Sequence, residues 1–168
     1  MNIENLNNFF FVGIAGTGMS AIAQYLQGIG KRVSGSDRLF NQDNKMHIQE
    51  QFEKQGIKCF FQDGSGINAA TEVVVVSTAI EETNIEYQKA KELGIPIMKR
   101  SELLATISLS KRTIAVGGTS GKSTTTAMIF HILQENDYSP SLMTGAGLTS
   151  LQKQGLPGNA WVGQSEWL

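Results

Sequence analysis

Phe9-Phe10-Phe11-Val12-Gly13-Ile14-Ala15-Gly16-Thr17-Gly18-Met19-Ser20 is the stretch on which the fold of this chain turns. A short apolar run of β-favouring residues enters a glycine-rich turn. Beyond it Met19, Ile22, Ala23, Leu26 and Ile29 recur at helical spacing until Gly30. The unit is strand, turn, helix, and the helix start at Gly18 to Ser20 presents unpaired N–H groups and a positive dipole end to an anion, with a diphosphate as the expected ligand. The glycine pattern is Gly-x-x-Gly-x-Gly, with Ala15 where a dinucleotide fold carries its second glycine, and a tight turn without ligand is the bland reading of the same residues.

Outward from that unit, strands and helices alternate. Arg32-Val33-Ser34-Gly35-Ser36-Asp37 supplies a second strand, with Asp37 nineteen positions after Gly18. That is where a Rossmann-like unit puts an acid on a ribose hydroxyl, although an aspartate there also suits a turn. Residues 39–44 read as loop, 46–55 as a surface helix ending at Gly56, and 57–61 as a strand, followed by the turn Asp63-Gly64-Ser65-Gly66. Val73 to Val76 is a β-branched run suited to a strand covered on both faces, and it delivers Ser77, Thr78 and Ala79 to the carboxyl edge where ligands sit in such sheets. A helix over 86–93, a short edge strand over 95–98 carrying Pro96, and a helix from Arg100 with Ser101 as its cap complete the series. The expectation is an α/β fold: a Rossmann-like, parallel-sheet domain over residues 1–108, with 109–112 as linker.

A second strand–turn–helix follows in Thr113-Ile114-Ala115-Val116-Gly117-Gly118-Thr119-Ser120-Gly121-Lys122-Ser123-Thr124-Thr125-Thr126. Glycines let backbone approach phosphate, Lys122 would reach the β/γ oxygens, and the Ser123 hydroxyl would ligate Mg²⁺. The general P-loop pattern fails at one place, because Val116 stands where its first glycine belongs. An ordinary turn with a solvated lysine is the alternative. Thr113 to Val116 read as a buried strand, Ala127 to Leu133 as a helix, and 141–144 as a further strand, while Trp161-Val162 and Trp167-Leu168 have no evident partners. Residues 109–168 are therefore expected to be the incomplete start of a P-loop ATP-binding α/β domain.

Composition narrows the class. With 168 residues, 40% hydrophobic and 17% charged, the chain can bury a core. Lys plus Arg number 14 against 15 Asp plus Glu, a net charge of −1 without a basic stripe, which speaks against nucleic acid as a partner. No apolar run approaches the roughly 18 residues of a membrane span, and the N-terminus lacks a basic signal-peptide start, which predicts a cytoplasmic protein without membrane insertion. The single cysteine, Cys59, is read as packing, and His47 and His131 as helix-surface residues without metal-ligand spacing.

Taken together, residues 12–20, Ser34 to Asp37, Val75 to Ile80, Asn84 with Glu86, Gly94 to Ile97, Arg100 and Gly118 to Thr126 resemble the Mur ligase family of ATP-dependent amino-acid ligases. The resemblance implies a three-domain enzyme of peptidoglycan precursor synthesis. Its substrates would be UDP-N-acetylmuramate and L-alanine, its cofactors ATP and Mg²⁺, and its intermediate an acyl phosphate attacked by the amino group. Carried over by position, Ala15, Gly16, Thr17, Gly18, Met19 and Ser20 would contact the diphosphate, Ser36 and Asp37 the uridine end, and Ser77, Thr78 and Ala79 the sugar side. Arg100 would belong to the cleft between domains, or else be a surface charge at a helix start. Gly118, Thr119, Ser120, Gly121, Lys122, Ser123 and Thr124 would cradle ATP, with Lys122 catalytic as charge stabiliser and Ser123 or Thr124 at the metal. Two positions depart from the alanine-adding pattern: Ser120 replaces a histidine and Ser123 a threonine. With the C-terminal domain beyond its reach, the chain alone is expected to be inactive, and an unfinished sheet edge favours pairing of two copies as a homodimer. The rival readings are a peptidoglycan-recycling ligase that joins a tripeptide to the same sugar nucleotide, an NAD(P)-binding oxidoreductase domain, and a non-catalytic nucleotide-binding module.

Overall fold

Five parallel strands in the order β3-β2-β1-β4-β5 form the frame: β1 (Asn8–Val12), β2 (Arg32–Ser36), β3 (Lys58–Phe60), β4 (Val73–Val76) and β5 (Ile97–Lys99). The computed structural model describes residues 3–41 and 45–168, so the expected loop over 39–44 lies partly outside the described residues. Strand β1 is central because its side chains are apolar on both faces. Phe9 and Phe11 pack with Ile22, Tyr25 and Leu26 of α1 (Thr17–Gly28), while Phe10 and Val12 pack with Val74, Val76 and Ala90 on the opposite side. A strand buried on both sides has no polar alternation, which is what parallel sheets between helices require.

The crossover helices are α1, α2 (His47–Lys54) and α3 (Ile85–Glu92), and α4 (Arg100–Leu109) follows the last strand, β5. Asn84 caps α3, its Oδ1 accepting from the Glu86 and Tyr87 N–H groups at 3.0 and 3.2 Å. Ser101 does not cap α4 as expected. The cap position is Lys99, whose N–H donates to the Glu102 carboxylate at 2.9 Å, so the helix starts two residues earlier than a serine cap would allow. The edge position of β5 is as expected, and Pro96 costs nothing there because it contributes only its carbonyl, which accepts from Val74 N–H at 2.9 Å.

After Lys111 the chain forms α5 (Lys122–Glu135), a two-stranded antiparallel hairpin of β6 (Leu142–Met143) and β7 (Ala160–Trp161), and the short α6 (Thr149–Gln152) between them. The buried strand expected at Thr113 to Val116 does not form. These residues are largely exposed, and their one backbone partner is the 166–168 segment, through Ile114 N–H to Leu168 O at 2.8 Å and an isolated bridge from Arg112 to Trp167. A β-branched run becomes a buried strand only when neighbours cover its faces, and here they do not. The late aromatic residues do find partners: Trp161 pairs with Leu142 in the hairpin, and Trp167 stacks under the Arg112 guanidinium at 4.3 Å, which Glu166 also holds at 3.1 Å.

Candidate functional site

Because β1, β2, β4 and β5 all run the same way, their carboxyl ends bring four of the expected segments to one edge: Gly13 to Ser20, Ser36-Asp37, Ser77 to Ala79, and Arg100. The first loop is built by backbone bonds. Gly13 and Ile14 N–H both donate to Ser36 O, at 2.8 and 3.0 Å, and Met19 and Ser20 N–H turn onto Gly16 O, at 3.0 and 2.8 Å. That leaves the Thr17 and Gly18 amides at the open end of α1, beside the exposed Gly16.

Arg100 faces this helix end. A Cβ placed on Gly18 would lie 3.0 Å from Arg100 Nη1 and 3.3 Å from its Cζ, so the guanidinium rests against the glycine and a side chain there would have to push it back. Among the described residues Arg100 has no ion-pair partner. A cation held at the positive end of a helix dipole is an arrangement that an anion between them would stabilise.

Several expected contacts are otherwise engaged. Asp37, 6% exposed, accepts from Ala15 N–H at 3.0 Å and from Leu39 N–H at 3.0 Å, so its carboxylate holds the loop in shape. Met19 is buried in the core, and the buried Ser20 hydroxyl donates to Thr17 O at 3.0 Å, so neither side chain is presented to a ligand. Ser77 Oγ accepts from Ala79 N–H at 3.4 Å, and Thr78 and Ala79 are exposed. Beneath the edge, Glu86 is fully buried, and both its carboxyl oxygens and the Ser36 hydroxyl lack a partner at hydrogen-bonding geometry. Burial pushes the Glu86 carboxyl above its ordinary value, with the nearby Ser36 hydroxyl pulling the other way. Cys59 is inert as read: burial pushes its thiol up to about 12.

The second loop is open. Gly121 adopts φ 76° at the start of α5, a left-handed conformation that glycine takes without cost, and Lys122 Nζ folds back onto Gly118 O at 2.6 Å and Thr119 O at 3.3 Å. Gly118 to Lys122 and Thr124 are exposed, and Ser123 is half-buried. Lys122, Ser123 and Thr126 rim a cavity of about 330 Å³ whose remaining wall is mostly apolar, from Ile114, Val116, Phe130 and Leu142. Only that rim suits a triphosphate and its cation. Among the described residues no group of three or more His, Cys, Asp and Glu could hold a metal ion. No helix of the described residues is long and apolar enough to cross a membrane.

One residue at the edge carried no sequence signal: Asn159, 135 and more positions from its partners, which donates to Thr17 O at 2.9 Å and Ser20 Oγ at 2.7 Å and accepts from Gln24 Nε2 at 2.8 Å.

The pattern described as Mur ligase family, catalytic domain, matches residues 8–112. The chain is 37% identical over 164 residues to the UDP-N-acetylmuramate–L-alanine ligase of Bartonella bacilliformis, covering 98% of this chain and 32% of that protein. Against the enzyme of the same name from Dictyoglomus turgidum the identity is 40%, covering 98% and 33%. The crystal structure of UDP-N-acetylmuramate-alanine ligase from Thermotoga maritima superimposes with TM-score 0.81 at 30% identity, over 95% of this chain and 36% of that one. A ligase from Neisseria meningitides that acts on a tripeptide superimposes with TM-score 0.80 at 21% identity, a likeness of fold alone. The chain thus spans about a third of the length of the curated relatives it matches.

Proposed function

Since the chain belongs to the Mur ligase family, we propose that it carries the sugar-nucleotide site and the ATP loop of a ligase that joins L-alanine to UDP-N-acetylmuramate in the cytoplasm. The observation that carries this reading is the Arg100 guanidinium set against Gly18 at the start of α1, without an acidic partner among the described residues. In the proposed complex the diphosphate lies between them, taking the Thr17 and Gly18 amides and the guanidinium. Ser36 and Asp37 shape the uridine side, and Ser77 to Ala79 form the sugar side. ATP with Mg²⁺ occupies the second loop, where Gly118 to Thr124 cradle the phosphates. Lys122 leaves its own carbonyls to neutralise charge on the transferring phosphoryl group, and Ser123 with Thr124 faces the metal. Chemistry of this class is positioning plus electrostatic stabilisation of the phosphoryl group, after which the carboxyl, now an acyl phosphate, is open to the amine.

Thermal-shift titration of the 168-residue chain tests the reading, because a ligand of the native state raises the midpoint with occupancy. UDP-N-acetylmuramate is expected to raise it and NAD is not. Arg100→Met is expected to weaken the sugar-nucleotide response by about tenfold to a hundredfold, the scale of a charge-assisted hydrogen bond. A larger response to NAD than to the sugar nucleotide would overturn the assignment in favour of an oxidoreductase domain.

A further inference from the structure

The hairpin β6–β7 is docked on α1 through buried polar contacts as well as apolar ones. Asn159, the residue before β7, is 5% exposed and spends its whole side-chain amide on the first domain's loop helix. Nδ2 donates to Thr17 O and Ser20 Oγ, and Oδ1 accepts from Gln24 Nε2. Gln24 in turn accepts from Gln55 Nε2 at 3.3 Å, and Gln51 Nε2 donates to Gly155 O at 3.1 Å, so the hairpin is tied down at two points. The approach is close: a Cβ on Gly28 would come within 2.5 Å of Val162 Cγ2. Thr17 and Ser20 bracket Gly18, whose amide and that of Thr17 are the open donors at this helix end. A satisfied, buried network of this kind fixes geometry more than it adds stability.

We propose that Asn159 is the positioning residue of the sugar-nucleotide loop: through Thr17 and Ser20 it holds the first turn of α1 in the orientation that presents the Thr17 and Gly18 amides, so that the hairpin of the ATP-loop segment sets diphosphate affinity. The inference rests on the sugar-nucleotide reading above. It makes the hairpin a determinant of a site it does not line, with the Asn159 amide as the contact nearest that site.

The test is calorimetric titration of UDP-N-acetylmuramate into the 168-residue chain and its variants, with amide hydrogen exchange at Thr17 and Gly18. Asn159→Ala is expected to raise Kd about tenfold, the scale of one well-made buried hydrogen bond, and to speed exchange at both amides. Asn159→Asp keeps the acceptor for Gln24 but loses both donors, and is expected to weaken binding at least as much. Ser20→Ala is expected to weaken it less, and the double variant to be no weaker than Asn159→Ala. Leu151→Ala, which loosens the hairpin's own core without touching α1, is expected to lower stability and leave Kd unchanged. If Asn159→Ala binds as tightly as the parent chain, or Leu151→Ala loses as much affinity, the positioning role is wrong while the site stands. A parent chain that does not bind the sugar nucleotide removes the functional reading and the inference with it.

Discussion

The two loops share one grammar, strand-like approach, glycines, helix start, yet the fold treats them differently. The loop at Gly13 to Ser20 leaves a strand buried on both faces and is held by Ser36 O, Asp37 and Asn159. The loop at Gly117 to Lys122 leaves an exposed stretch with one backbone neighbour, and its own lysine is what closes it. An anion site needs amides aimed at one point, and aiming them costs conformational entropy. In the first loop packing has met that cost before a ligand arrives. In the second it falls due on binding, or is met by surfaces that cover Thr113 to Val116. Local sequence is enough to write a glycine turn at a helix start, but its rigidity comes from what surrounds it.

The strongest way to break this contrast is to delete a ring behind each loop. Phe11→Ala removes a fully buried side chain at the centre of the sheet and is expected to cost about 3–5 kcal/mol in urea melts, a large part of a typical domain's stability. Phe130→Ala acts in a small cluster with Leu142, Leu148 and Leu151, beside an open cavity, where neighbours can relax. About 2–3 kcal/mol is expected there, at or below the low end for such a deletion. Equal losses would mean that the second loop is as firmly backed as the first.

The same contrast explains what could be read from the sequence. Elements β1, α1, β2, α2, β4 and α3 were legible because apolar period and glycine punctuation are local signals, and the carboxyl-edge placement of Ser36, Asp37 and Ser77 followed from parallel alternation. Thr113 to Val116 misled because propensity says nothing of whether partners exist. Asp37 was read toward a ribose or a turn; the bond from Leu39 N–H is the turn, while the bond from Ala15 N–H, at the same 3.0 Å, joins two strand ends in a way that only register reveals. The hydroxyl of Ser20 looked available and is instead engaged with Thr17 and Asn159. Arg100 could be named but not placed, since its meeting with Gly18 joins β5's exit to β1's. Asn159 was out of reach altogether: an asparagine after a glycine reads as a turn, and its partners are far off in sequence.

A smaller effect sharpens the picture of the first edge as a built site. Glu86 is buried with its carboxyl raised above its ordinary value by desolvation. A raised acid binds its proton more tightly when folded, so the folded chain is favoured at low pH and loses that advantage as pH rises from the ordinary glutamate value through the folded one. Glu86→Gln removes the titration. Its melting temperature relative to the parent is therefore expected to climb as pH rises above the ordinary glutamate value of 4.5 and to level off once the folded-state carboxyl has ionised. A difference that stays flat with pH would show that the Glu86 charge is satisfied, by Ser36 or by water.

The smallest expected effect on the ligand-free fold comes from the most chemically charged residue of the second loop. Lys122 is exposed, and its ammonium bonds only to carbonyls of its own loop, Gly118 and Thr119. Lys122→Met keeps the stem, removes the charge, and leaves both carbonyls open to water. It is expected to change urea-derived stability by less than about 0.5 kcal/mol, as surface substitutions do. If ATP with Mg²⁺ binds here as proposed, the rise in midpoint it produces is expected to vanish, because the charge assigned to the β/γ phosphates is gone. If the variant instead loses stability by several times that amount without nucleotide, the lysine is a strut of the loop, and the two loops are more alike than their surroundings suggest.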